Sequence, residues 1–487
     1  MTFRRWSGAV KMSNVTDYPP EPVENATPGV RRDGWESRPL WPSFRRVKIA
    51  VARESREGEA RVAMVPELVG KLTGLGYDVA VEPGAGRHAL IADEEYTAAG
   101  ARLDDAAFED ADVVVSVQPL SVDRIRRMRR GASAISFLPT NQEQATVVEL
   151  RDAGITAHAV ELIPRISRAQ SMDGLSSQAL VSGYRCAIVA AGLLRRFFPL
   201  NMTAAGTVQA AEVVVLGAGV AGLQAIATSK RLGAIVRAYD VRAAAAEEIR
   251  SMGAKSIDLD LDTLEGAGGY AREMTEDRAA RQRELLTPFI AAADALITTA
   301  AVPGRQAPML VTREMVEQMK PGSVVVDLAA ETGGNVEGSV AGEVVRIGNA
   351  QVWGGRNVPS QMPGPASKLY AQNVLNLVTL MTTKDDDGNG VFAPDFGDEI
   401  VSGSCVTHDG AIVHGPTREA VEGPPADVPG EATAGGGASA EGHPTSYDGA
   451  VADDGGMEPQ HRAVVDEPVP GSSVGETDHP YDQEADQ

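Results

Sequence analysis

Cysteine is almost missing from this chain. Cys186 and Cys405 are the only two among 487 residues, so there is no disulfide framework and a reducing compartment is the natural expectation. Neither stands at metal-ligand spacing from a histidine or another cysteine, which argues against zinc. Aromatic residues are scarce as well, at 5% against a hydrophobic fraction of 43%, so Ala, Val, Leu and Ile must fill the core. That balance favours parallel α/β layers, whose central strands read as short β-branched runs. No stretch approaches the roughly 20 consecutive apolar residues that span a bilayer, and direct membrane insertion is not expected. Met1-Thr2-Phe3-Arg4-Arg5-Trp6 is basic without an apolar run behind it, so no secretory signal is expected. Positive charge is also in deficit. A net charge of −22 argues against nucleic-acid binding, which needs a cationic face. Much of the excess lies beyond Thr417, where 16 acids face only Arg418 and Arg462; this reads as a solvated acidic tail.

What is present divides along the chain. Residues 1–46 mix Pro, Asn, Glu and Arg without periodicity and read as a disordered leader. From Val47 strands and helices alternate: Val47 to Ala52, Tyr77 to Val81, Ala111 to Val117 and Ala132 to Phe137 as strands, Pro66 to Leu75 as a helix. Residues 174–200 read as one long helix leading to a second α/β stretch that opens with Glu212 to Leu216. An apolar helix over 364–382 would bring the chain back. The expected architecture is α/β: two Rossmann-like parallel-sheet domains joined by long helices around an interdomain cleft. The first domain takes 47–175 with 358–415, and the second takes 176–357. Residues 416–487, rich in Pro, Gly, Asp and Glu, read as a disordered acidic tail.

The sharpest local pattern is Val213-Val214-Val215-Leu216-Gly217-Ala218-Gly219-Val220-Ala221-Gly222, followed by a helical run to Leu232. Gly217 permits the turn, Gly219 lets backbone approach a pyrophosphate, and Gly222 lets helix and strand pack closely. The anion would meet unpaired N–H groups at the positive end of the helix. A second strand, Ile235 to Tyr239, ends at Asp240, about 20 residues on, where an acid accepts bonds from ribose hydroxyls and repels a 2′-phosphate. NAD(H) is therefore expected over NADP(H), although Arg242 stands nearby. Strand ends at Leu296 to Gly304 and Val324 to Ala330 carry small residues that would let adenosine pack close to the backbone.

Between the two halves lies Pro164-Arg165-Ile166-Ser167-Arg168-Ala169-Gln170-Ser171-Met172-Asp173, running on to Leu175-Ser176-Ser177-Gln178. Taken bare, it is a polar loop before a helix, with Asp173 as its N-terminal cap. With its Arg165, Gln170 and Asp173, and with Asn357-Val358-Pro359-Ser360 and Val401 to Thr407, the chain resembles the nucleotide-binding α subunit (domain I) of proton-translocating transhydrogenase. The resemblance runs from about Val47 to His414 and leaves out the leader and the tail. It implies that Arg165, Ile166, Ser167, Gln170, Ser171, Met172 and Asp173 border the nicotinamide and its ribose, with Ser176 near the carboxamide. Ala218, Gly219 and Val220 would touch the pyrophosphate, and Asp240, Val241 and Arg242 the adenosine ribose. Gly269, Tyr270, Gln282 and Ala301 would lie on the adenosine side, with Gly269-Tyr270 on a flap; as plain sequence Gly266 to Gly269 is only a flexible loop. It also implies a homodimer, an NADP(H)-binding subunit and a membrane-spanning subunit as partners, and a cytoplasmic place peripheral to the inner face of the cell membrane.

Alanine dehydrogenase shares this expected fold and the segment Glu59-Ala60-Arg61-Val62-Ala63. Amino-acid oxidation needs proton-handling groups, which that family keeps as a Lys and a His in segments matching Ser116 to Leu120 and Ser136 to Thr140. Here the first has no Lys and the second has Pro139 in place of the His. Hydride transfer between two nicotinamides requires no proton at the reacting carbons, only alignment and contact. Gln170 is then the residue expected to touch both nucleotides. A non-catalytic NAD-responsive module is the other alternative, and it has no use for the Arg165–Gln170–Asp173 loop.

Overall fold

The computed structural model describes residues 46–261, 275–301, 304–386 and 388–423. The strands in chain order are β1 (Lys48–Val51), β2 (Asp78–Val81), β3 (Arg102–Leu103), β4 (Val113–Val115), β5 (Ser133–Ser136), β6 (Thr156–Ala159), β7 (Asn201–Thr203), β8 (Gly206–Val208) and β9 (Glu212–Leu216). They continue with β10 (Ile235–Tyr239), β11 (Lys255–Ser256), β12 (Ala295–Thr298), β13 (Val324–Asp327), β14 (Val344–Ile347) and β15 (Ala350–Gly354). The last are β16 (Thr382–Lys384), β17 (Gly390–Phe392), β18 (Cys405–His408) and β19 (Ala411–Ile412).

Two large sheets result. The first has the order β19-β18-β6-β5-β4-β1-β2-β3, parallel from β6 to β3, with β18 antiparallel to β6 and β19 antiparallel to β18. The second has the order β11-β10-β9-β12-β13-β15-β14, parallel except for the edge strand β14. Helices cover both faces of each sheet, which is why Val113-Val114-Val115 and Val213-Val214-Val215 are buried throughout and do not alternate. Ile49, Val113 and Ile135 sit in the core on one face of the first sheet, and Ala50, Val114 and Ala134 in the core on the other. Val213 with Ile297, and Val214 with Leu296, divide the second sheet in the same way. Short aliphatic side chains make up most of these layers, with Tyr77, Tyr96, Tyr370 and Phe108 as the large aromatics buried against the first sheet.

The Gly174–Leu193 helix leads from the first sheet to the second, and the Pro363–Leu380 helix returns the chain to the first. The first of these ends seven residues before the expected Leu200. Leu194 already has extended backbone, Pro199 can donate no helical N–H, and Phe198 turns into the core of the second sheet. The hairpin of β7 and β8 follows.

The expected tail begins too early. Gly415–Glu422 is a helix, with Pro416 preset for its first turn, Thr417 buried, and Glu422 paired to Arg151 at 2.9 Å. Val421 packs against the core of the first sheet. Residues 1–45 of the leader and 424–487 of the tail lie outside the described residues, as do Gly269 and Tyr270 with their expected flap. Among the described residues no helix is long and apolar enough to cross a membrane.

Candidate functional site

The glycine pattern folds as a strand, a turn and a helix. β9 leads into Gly217, whose φ of +95° lies in the region that favours glycine, and the Val220–Arg231 helix begins directly after Gly219. A Cβ on Gly222 would lie 1.9 Å from the carbonyl oxygen of Gly217, so only glycine lets this helix start so close to the strand. Gly219 differs: a Cβ there would meet nothing within 4 Å. Packing does not require glycine at that position, and the open space beside its backbone is room for a ligand.

That space belongs to a cleft of about 560 Å³, within the usual range for small-molecule sites. Of the residues expected at the site, Arg165, Ser176, Gly217, Ala218, Gly219, Val220, Asp240, Val241, Arg242, Gln282 and Ala301 line it. Gln282 is fully buried and accepts a bond from the Tyr239 hydroxyl at 3.1 Å. The sequence reading missed the apolar portion of the wall, formed by Leu175, Ala179, Leu223, Pro308, Leu310 and Leu328. Leu175 and Ala179, four residues apart at the start of one helix, were the available signal.

Asp240 stands at the tip of β10, as its spacing from the glycines requires, but its carboxylate is already engaged. One oxygen accepts from the Arg242 main-chain N–H and Nε, both at 2.9 Å. The other accepts from the Ala218 N–H at 2.7 Å and Arg242 Nη2 at 3.1 Å. These four bonds use about all the acceptor sites of a carboxylate, so a ribose diol would reach it only as the Arg242 side chain swings away. The pairing in turn raises the Arg242 guanidinium above its usual range, through the hydrogen bond to Asp240.

The polar loop lies on the first-sheet side of the cleft. Ser167–Met172 forms a short 3-10 helix, and Asp173 caps the Gly174–Leu193 helix through bonds from Ser176 N–H at 2.8 Å and Ser176 Oγ at 2.5 Å. Met172 is buried in the core of the first sheet, and Ile166 is half-buried against the same core. Their side chains hold the loop down and do not line the cleft. Ser167, Gln170 and Ser171 are exposed, also outside the cleft lining. The Ser171 carbonyl accepts from Asn373 and Asn376, and Arg168 pairs with Asp398 at 2.8 Å. The structure thus brings Arg165 and Ser176 into the cleft wall and leaves Gln170 exposed outside the lining.

A second polar cluster sits at the C-terminal edge of the first sheet, and it is closed. Arg61 donates to both oxygens of Glu59 at 2.7 and 2.8 Å, to Gln178 at 2.9 Å and to Asn357 at 3.2 Å. Burial would raise the Glu59 carboxyl, but the bonds and charge of Arg61 bring it down to about 2. Gln118, in the lysine-free Ser116-to-Leu120 segment, donates its amide to Glu59 at 2.8 Å. Burial pushes neighbouring Glu54 up to about 7, against bonds from the Val117 and Gln118 N–H groups. Arg61 is thus matched to a carboxylate of its own chain.

Two domain models match in sequence: the N-terminal domain of alanine dehydrogenase/PNT over residues 50–182 and the C-terminal domain over 186–415. The chain is 48% identical over 379 residues to the first part of NAD(P) transhydrogenase subunit alpha of Rhodospirillum rubrum, covering 76% of this chain and 98% of that protein. It is 31% identical over 303 residues to alanine dehydrogenase of Mycobacterium tuberculosis, covering 60% of this chain and 75% of that one. Among solved structures, a transhydrogenase from Sinorhizobium meliloti superposes with a TM-score of 0.66 at 44% identity, covering 76% of this chain and 99% of that one. With both halves of its body matched and nearly the whole of the Rhodospirillum protein spanned, the chain belongs to the alanine dehydrogenase/PNT family, among the NAD(P) transhydrogenase alpha subunits.

Proposed function

We propose that this chain binds NAD(H) as the alpha subunit of a proton-translocating transhydrogenase. The observation that carries this reading is the glycine turn that opens onto the 560 Å³ cleft, with free space beside Gly219 and an acid, Asp240, at its rim. The pyrophosphate would lie at the start of the Val220–Arg231 helix, against Ala218, Gly219 and Val220, where N–H groups and the helix dipole favour an anion. Asp240, Val241 and Arg242 would meet the adenosine ribose; Gln282 and Ala301, with Gly269 and Tyr270, would meet the adenosine side. When bound, NADH supplies the hydride, and NADP⁺ on a partner polypeptide accepts it.

The remaining tasks of the chain are to bind, orient and exclude water. Arg165 and Ser176 in the cleft wall would fix the nicotinamide and its carboxamide, with Asp173 holding Ser176. Ile166 and Met172 would set the height of the loop from the core, and Ser167 and Ser171 would border the ring. A residue that touches a cofactor carried by another protein has to be on the surface, and Gln170 is. No proton is moved at the reacting carbons, which suits a site with an amide at position 118 and Pro139 in place of an acid/base pair. The reading includes a homodimer, the two partner subunits, and a cytoplasmic location against the membrane.

Calorimetric titration of the purified chain with NADH and with NADPH tests the coenzyme assignment; NADH should bind more tightly, and a preference for NADPH would overturn it. Stopped-flow mixing with a separately made NADP-binding subunit tests the transfer. NADH binding without any transfer would favour a non-catalytic NAD-responsive module.

A further inference from the structure

β12 runs between β9 and β13, and its ladder ends at Thr298. Thr299 still bonds the glycine turn, through its N–H to the Leu216 carbonyl at 2.9 Å and its hydroxyl to the Gly217 carbonyl at 3.2 Å. Ala300, the next residue along the cleft wall, has passed beyond the strands that could pair its main chain. One side chain takes over. The Asn335 carboxamide accepts from the Ala300 N–H at 3.0 Å and donates to the Ala300 carbonyl at 2.8 Å, as a neighbouring strand would. Its amide nitrogen also donates to the Pro308 carbonyl at 2.9 Å.

Asn335 is itself held from behind. It is fully buried, and its N–H donates to the Asp327 carboxylate at 3.1 and 3.2 Å, while its carbonyl accepts from Leu310 and Val311, both at 2.9 Å. Asp327, also fully buried at the tip of β13, further accepts from Thr298 Oγ1, Ala329 N–H, Val336 N–H and Ser339 Oγ. Ala300, Pro308 and Leu310 line the cleft; Asn335 and Asp327 do not.

We propose that Asn335 is a positioning residue for the nucleotide. It fixes the Ala300 peptide, and with it the gap between the β12 tip and the glycine turn, without touching the ligand. The task needs one acceptor and one donor side by side, facing a peptide. Asparagine offers that pair, whereas aspartate would turn a second acceptor toward two carbonyl oxygens. The inference rests on the NAD(H) reading of the same cleft.

The test compares NADH dissociation constants and amide exchange in Asn335→Ala, the milder Asn335→Ser and a control, Ile155→Ala, placed in the core of the first sheet. Each Asn335 variant should weaken NADH roughly tenfold, the order expected when buried peptide groups lose their partners. Each should also speed exchange at the Ala300 amide in the free protein, with the β9 amides unchanged. The control should lower the melting temperature yet leave NADH affinity within about twofold, because its site shares no partner with the cleft. An NADH affinity unaltered in both Asn335 variants, or a loss matched by the control, would overturn the positioning role. Should Asn335→Ala not fold, Asn335→Ser carries the comparison. Failure of the unmutated protein to bind NADH would instead remove the nucleotide reading itself.

Discussion

Asp240→Ala should move the two coenzymes in opposite directions. The carboxylate accepts four bonds in the free protein, three from Arg242 and one from the Ala218 N–H of the glycine turn. NADH binding exchanges some of the Arg242 contact for ribose hydroxyls, so removal of the acid forfeits less than the full value of a charged hydrogen bond. The expected loss is about 1–3 kcal/mol, or roughly 5- to 150-fold in the dissociation constant. NADPH should gain. The variant lacks the charge that repels a 2′-phosphate, and it releases a guanidinium able to pair with one. A gain of about tenfold for NADPH, near 1.4 kcal/mol, is expected. Paired calorimetric titrations of wild type and variant at one ionic strength measure both terms. Equal weakening of NADH and NADPH would mean that Asp240 serves only to brace the turn, and an unchanged NADH constant would place the ribose elsewhere.

The other predictions concern transfer, packing and pH. Gln170→Asn should slow hydride transfer at least tenfold in stopped-flow mixing while NADH affinity stays within about twofold, since the side chain lies outside the cleft lining; a large affinity loss with normal transfer would contradict its role. Gly222→Ala should abolish measurable NADH binding and lower the melting temperature, because its Cβ would sit 1.9 Å from the Gly217 oxygen; overpacking of this kind costs about 1–3 kcal/mol. His158 is buried with Nδ1 bonded to Ser404 Oγ at 3.1 Å, and burial lowers it from 6.5 to about 4. Its folded value lies below its unfolded one, so the unfolded chain gains the proton first, and stability falls as pH drops from about 6.5 to 4. The group contributes about 3 kcal/mol to that fall. Denaturant titrations across this range should give a flatter acid limb for His158→Gln, and an unchanged slope would refute the assignment.

The features of the site that were legible in the sequence are those where backbone geometry dictates a residue at fixed spacing. Gly217 needs a positive φ, Gly222 allows close packing, and Asp240 follows at the end of the next strand; each constraint is local, and each is found in place. The partnership of Asp240 with Arg242 was less legible, because two neighbouring opposite charges read equally well as a ribose site flanked by an arginine. Asn335 could not be found at all. Its partners lie at Ala300 and Pro308, 35 and 27 residues away, and bonds from a side chain to distant main chain leave no periodic trace. The sequence extends the long helix too far because apolar residues resume at Phe197 and Phe198 after Arg195 and Arg196, although Phe198 is buried by the second core beyond the helix end. The Gly415–Glu422 helix was hidden by a composition of Pro, Gly and Glu, although Pro416 at its first turn is a normal way to begin one.

The contrast between the two sheets bears on how one fold supports different chemistries. Both present the C-terminal tips of parallel strands, where open α/β sheets place ligands. At the second sheet those tips frame an open cleft with glycine and alanine at its edge. At the first, the corresponding space is filled by the chain's own ion pair. Arg61 and Glu59 satisfy each other, and the ring is completed by Gln118, Gln178, Asn357 and Ser360. These contacts tie the loop after β1 to the helix that leaves the first sheet and to the segment that returns to it, so the filled site joins the elements flanking the cleft. Breaking one partner would leave a buried charge unpaired, at a cost of about 3–5 kcal/mol, which favours keeping the ring closed. A fold held in this way keeps the elements carrying Arg165 and Ser176 in fixed register on the side of the cleft. Since alanine dehydrogenase shares the Glu59-to-Ala63 segment, the ring braces the fold without setting its reaction type, which falls to the site residues carried on that fold.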